Sequence, residues 1–152
     1  MFSKQVIELA PKNNEALLKL GWKGWKPEVG EQFLCANNDI FVVLEYSKIT
    51  GSVATYVGHI IPPGSGQDPF MIMSVDRIIP IFHWERLRKI LKELGYDVYL
   101  SIGYNGGEIT VNGIDEYEHT TELFSLFYKG EKIQERVMQA VIKLGEEIND
   151  KK

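Results

Sequence analysis

The sequence predicts an α+β fold: an antiparallel, strand-rich N-terminal part, then a helix, a β-hairpin and C-terminal helices. Three observations carry this. Strand-like segments gather in residues 32–75 instead of alternating with helices, which disfavours a parallel α/β sheet. Trp84, Leu87, Leu91 and Leu94 recur at intervals of three and four, the period of a helix face. Asn105, Gly106 and Gly107 stand between two alternating runs, 98–104 and 108–114, a strong hairpin signal.

Taken in order, residues 5–9 are a short apolar run that stops at Pro11, an edge strand or the approach to a helix. Residues 13–20 read as a short helix. Asn13 or Asn14 supplies the cap, Leu17, Leu18 and Leu20 the apolar contacts, and Gly21 the positive φ of a helix end. Glycines and a proline make 21–31 a loop holding Trp22 and Trp25. Residues 32–36 and 40–47 form a hairpin around Asn37, Asn38 and Asp39. Both faces of 40–47 are largely apolar, which predicts a central strand. Residues 53–61 are a third strand, 62–69 an exposed, mobile loop rich in Pro and Gly, and 70–75 a fourth strand. A helix over 83–94 ends at Gly95. After the hairpin, 122–128 reads as a short helical segment broken by Gly130. A long amphipathic helix follows, with Ile133, Val137, Val141, Leu144 and Ile148 on one stripe and Gly145 fraying its end.

With 152 residues the chain is expected to be a single domain, 1–152, with a weak internal boundary near 76–82. Its 44% hydrophobic and 25% charged residues are a globular balance. Apolar runs stay below the length of a membrane span, and the first residues, MFSKQVIELAPKNN, do not pattern as a signal peptide. A single cysteine, Cys35, leaves neither an internal disulfide framework nor a multi-cysteine zinc site. The expected location is cytosolic, without membrane partners. Net charge is −4, with 7 basic and 8 acidic residues up to Pro80 and 10 and 13 after it. Neither half has the positive surplus that duplex binding draws on.

The candidate chemistry is sparse. His119 lies beside Asp115, Glu116 and Glu118, with Glu122 one helical turn on. Imidazole and carboxylates are divalent-metal ligands, yet a solvated loop with acids at a helix N-terminus explains them more simply. Cys35 sits in an apolar strand, the setting of a small buried hydrophobe and not of a nucleophile. No catalytic residue, metal site or cofactor is therefore expected. Trp22, Lys23, Trp25 and Lys26 interleave aromatic and basic groups, which can stack bases or anchor a protein partner. The plainer alternative is that the rings close the end of a sheet. Arg86 and Lys89, with Arg88 and Lys92, give helix 83–94 four positive charges. Trp22, Lys23, Trp25, Lys26, Arg86 and Lys89 are thus the candidate binding residues.

The run Trp-Lys-Pro-Glu-Val-Gly-Glu at 25–31, leading into strands, resembles a pattern of small, uncharacterised phage- and prophage-encoded α+β proteins. So does Ile-Pro-Ile-Phe at 79–82, followed by an amphipathic helix, Gly-Tyr at 95–96, a hairpin and a C-terminal helix. These segments span somewhat over half the chain, and residues 115–130 depart from the pattern. The resemblance implies an accessory role and brings no catalytic residue with it. The expected function is a non-enzymatic accessory protein that binds another protein. A nucleic-acid-binding module using the 22–25 loop and helix 83–94 is the alternative, and a small metal-dependent hydrolase a second.

Overall fold

The computed structural model describes residues 2–35, 37–129 and 132–150. The fold is α+β. Its elements run α1 (Lys4–Lys19), β1 (Gln32–Leu34), β2 (Ile40–Val42), β3 (Glu45–Ser47), β4 (Ser52–Tyr56) and β5 (Phe70–Ser74). A 3-10 turn at Val75–Arg77 leads to β6 (Ile79–Ile81), α2 (Trp84–Glu93), β7 (Tyr96–Gly103), β8 (Gly106–Ile114), β9 (Thr120–Tyr128) and α3 (Ile133–Asp150). The chain divides into two compact units. Residues 24–81 form one, and 1–23 with 82–152 form the other.

The discontinuous unit is built on helix–helix packing and one antiparallel sheet of order β7–β8–β9. Its first helix corrects the sequence reading. Residues 5–9 and 13–20 are a single helix, α1, that runs through Pro11. The Ser3 hydroxyl caps it by accepting from the Val6 amide at 3.2 Å. Val6, Ala10, Asn13, Ala16 and Leu17 are its buried residues, and α1 packs along α3. That burial outweighs the one backbone hydrogen bond Pro11 removes. The helix ends as expected. Gly21 takes φ 100°, and its amide and that of Trp22 bond back to the carbonyls of Leu18 and Leu17.

His83 caps α2, its Nδ1 accepting from the Glu85 amide at 3.3 Å. Gln134 of α3 clamps the same end. Its Oε1 accepts from the Trp84 amide at 2.7 Å, and its Nε2 donates to the Phe82 carbonyl at 2.8 Å. Leu87, Ile90 and Leu91 are buried against the sheet and α3. Trp84, on the same helical stripe, is only half-buried, and the guanidinium of Arg88 lies 6.0 Å from its ring centroid.

The β7–β8 hairpin forms with Val98 opposite Val111 and Tyr99 opposite Thr110. Its loop is Tyr104–Asn105, one residue earlier than the glycines suggested, because Gly103 and Gly106 already pair. Residues 122–128 are not helical: they lie within β9, which pairs with β8 along its length. Phe124, Leu126 and Tyr128 alternate with exposed or polar neighbours, so the period is two. Of the two C-terminal helices expected, the described residues contain one, α3, and the predicted break at Gly130 lies outside them. Gly145 does not fray α3, which continues to Asp150. It is buried where the helices cross, and a Cβ there would lie 3.0 Å from the Ala16 Cβ.

The 24–81 unit holds two three-stranded antiparallel sheets, β2–β1–β6 and β3–β4–β5. Their core joins Phe33, Phe41, Val43, Val53, Val57 and Ile78. Residues 40–47 were expected as one central strand, but they split between the sheets. The Val43 amide bonds to the Glu31 carbonyl, while the Leu44 amide bonds to Ala54. β2 lies at the outside of its sheet, with Phe41 and Val43 buried and Val42 and Leu44 exposed. Both-sided apolarity here reflects a strand changing sheets, a device that closes small β structures. Thr55, fully buried in β4, ties the sheets together through a 2.7 Å bond from its hydroxyl to the Val42 carbonyl. The strand expected over 53–61 stops at Tyr56, where 58–60 turn.

Candidate functional site

The tryptophan loop is divided by its own fold. Trp22 belongs to the discontinuous unit and meets Phe82 edge-on, ring centroids 5.6 Å apart. Trp25 belongs to the 24–81 unit. It packs beside that unit's core, 6.1 Å from Phe33, and donates from Nε1 to Glu31 Oε1 at 3.1 Å. The same carboxylate oxygen accepts from the Glu28 amide at 2.8 Å, bracing the loop before β1. Both rings are half-buried, and Lys23 and Lys26 are exposed. On α2, Lys89 is exposed, and Arg86 is half-buried and engaged with the rest of the fold. The six candidate residues thus sit on two units: Trp22, Lys23, Arg86 and Lys89 on one, Trp25 and Lys26 on the other.

The reactive groups are quiet. The thiol of Cys35 contacts the Met73 thioether, Sγ to Sδ 3.3 Å. Burial, and then the Asp39 carboxylate, push that thiol above its ordinary pKa, the opposite of what a nucleophile needs. His119 closes the β8–β9 connection just before β9, with its Nδ1 3.4 Å from Asp115 Oδ2 and its side chain 80% exposed. Asp115 organises this turn, its Oδ1 accepting from the amides of Tyr117 and His119. Glu122 is in β9, so the helix expected to follow His119, and its dipole, do not exist. Among the described residues no three His, Cys, Asp or Glu side chains gather closely enough to hold a metal ion.

Sequence reasoning identified β5 as a strand but not its position. β5 is the outer strand of β3–β4–β5 and carries Phe70, Met71 and Ile72 at 56%, 46% and 76% exposure. Register places Phe70 beside Tyr56 and Ile72 beside Ala54 on the outward face, while Val53 and Thr55 point into the core. Tyr56 and Phe70 pack edge-on at 5.7 Å, and the His59 ring lies 6.4 Å from Tyr56. The available signal was the run Phe-Met-Ile-Met, which has no charge or proline to blunt an outer strand.

No protein-family model, curated protein or solved structure matches the chain.

Proposed function

We propose that the protein is a non-enzymatic, cytosolic accessory protein that binds another protein by strand addition at β5. One observation carries the reading: an outer strand with three successive exposed apolar residues. An unpaired strand edge presents backbone donors and acceptors to an incoming strand, and apolar side chains beside it add affinity. Proteins ordinarily protect such edges, so an unprotected one marks an interaction surface. The candidate catalytic groups point away from chemistry, Cys35 held as a thiol against a thioether and His119 in solvent. Among the described residues no helix is long and apolar enough to cross a membrane. A phage or prophage origin stays part of the proposal on the strength of the runs at 25–31 and 79–82.

The test compares wild type with Ile72→Lys and Phe70→Glu, both at exposed positions that tolerate charge. Proteins cross-linked in cells that express the chain are identified for each. The expected result is a specific partner lost in both variants, with thermal melts unchanged. An identical partner set in variant and wild type refutes strand addition at β5.

A further inference from the structure

Residues 96–128, the whole β7–β8–β9 sheet with its connections, contain six carboxylates and neither lysine nor arginine. The carboxylates are Asp97, Glu108, Asp115, Glu116, Glu118 and Glu122. The chain's net charge is only −4, so the remainder is net positive by two and the negative charge is concentrated on this sheet.

The sheet orders that charge. α2 and α3 cover the face that carries Val98, Ile109 and Val111. The opposite face is open, and register sets its side chains in three cross-strand rows: Asp97–Asn112–Glu122, Tyr99–Thr110–Ser125 and Ser101–Glu108–Phe127. Carboxylates occupy the outer rows, and Tyr99 and Phe127 stand 61% and 73% exposed among them. Among the described residues, Asp97, Glu108 and Glu122 take part in no side-chain hydrogen bond or ion pair.

We infer that this open face docks a basic, extended segment of a partner protein whose Lys or Arg side chains lie four residues apart. The outer rows are separated by four residues along β8, about 13 Å at roughly 3.3 Å per residue. An extended chain aligned with the strands, as stacked strands prefer, repeats at the same spacing. Its cations meet the carboxylates at either end, and their methylene stems and charges meet the rings of Tyr99 and Phe127. Nucleic acid is repelled by the same charges that attract this segment. The surface lies on the other unit from β5, so the inference stands apart from the proposed strand addition.

The probe is a short extended peptide with two lysines four residues apart, and its counterpart with glutamates in their place. Fluorescence anisotropy is read at low and moderate salt. The lysine peptide is expected to bind, with affinity falling as salt rises, and the glutamate peptide is not. The variant Asp97→Asn/Glu108→Gln/Glu122→Gln should weaken binding about tenfold or more while melting like wild type. Asp115→Asn/Glu116→Gln/Glu118→Gln, at the connecting turn, should leave it nearly intact. Amide shifts in wild type on adding the lysine peptide should concentrate on 97–101, 108–112 and 122–127, a readout that needs no variant. Equal losses in the two triple variants overturn the inference, because binding then follows net charge alone. So do shifts confined to 115–119, absence of binding to the lysine peptide, or wild-type self-association abolished by the face variant, which makes a second copy the occupant.

Discussion

Replacing Gly145 by Ala sets two effects of similar size against each other. Gly in a helix interior costs about 1 kcal/mol relative to Ala, so an isolated α3 would gain that amount. In the folded chain the new Cβ lies 3.0 Å from the Ala16 Cβ, 3.2 Å from its Cα and 3.4 Å from its carbonyl oxygen. Carbon atoms prefer roughly 3.5–4.0 Å, so the helices must separate by several tenths of an ångström. The obstacle is backbone and a methyl group, with no flexible side chain to swing aside. Overpacking of this kind costs about 1–3 kcal/mol, which cancels or exceeds the propensity gain. Gly145→Ala should therefore destabilise by about 0–2 kcal/mol, seen as a melting temperature lower by up to about 8 °C for a chain of this size. The deciding assay is a double-mutant cycle with Ala16→Gly, which removes the opposing methyl. Chemical denaturation of the four proteins should give a favourable coupling of about 1 kcal/mol between the small residue at one position and the larger at the other. Full stabilisation of about 1 kcal/mol by Gly145→Ala, with no coupling to Ala16→Gly, would refute the close approach of α1 and α3 at this point.

Trp25→Ala should cost about 3 kcal/mol, because it removes packing beside the core and the bond to Glu31. Unchanged melts of this variant, with salt-sensitive fluorescence quenching of wild type by mixed oligonucleotides, would favour base stacking over support. Cys35 keeps its proton to higher pH folded than unfolded, since burial and then Asp39 raise its pKa. Its stabilisation is complete below the unfolded thiol's pKa and is lost as pH rises through the folded value. Alkylation by iodoacetamide should accordingly rise at higher pH in the native protein than in a urea-unfolded reference, and coincident profiles would disprove the effect.

Much of the fold was written in local patterns. The Gly21 and Gly95 helix ends, the amphipathic face of 84–93 and the alternation flanking Asn105 each depend on residues a few positions apart, so sequence alone determined them. Residues 120–128 show where that stops. Thr, Leu and Phe at 120–127 suit a strand, yet the apolar-rich run 122–128 suits a short helix as well, and the deciding factor is the backbone of β8 alongside. Likewise Pro11 ends a helix in isolation and is absorbed when α3 supplies a face to bury. The candidate site was least legible. Trp22 and Trp25 are three residues apart and belong to different units. The exposure of Phe70–Ile72 depends on β5 being the outermost strand, which no spacing within β5 encodes. The acidic sheet is intermediate. Its lack of lysine and arginine is plain in the chain, but alternation could not say which carboxylates share a face until cross-strand register aligned Asp97 with Glu122 and left Glu108 two rows away. Composition, caps and periodicity are local and survive without a tertiary structure. Strand order, register and helix crossing are long-range, and only the packed chain decides them.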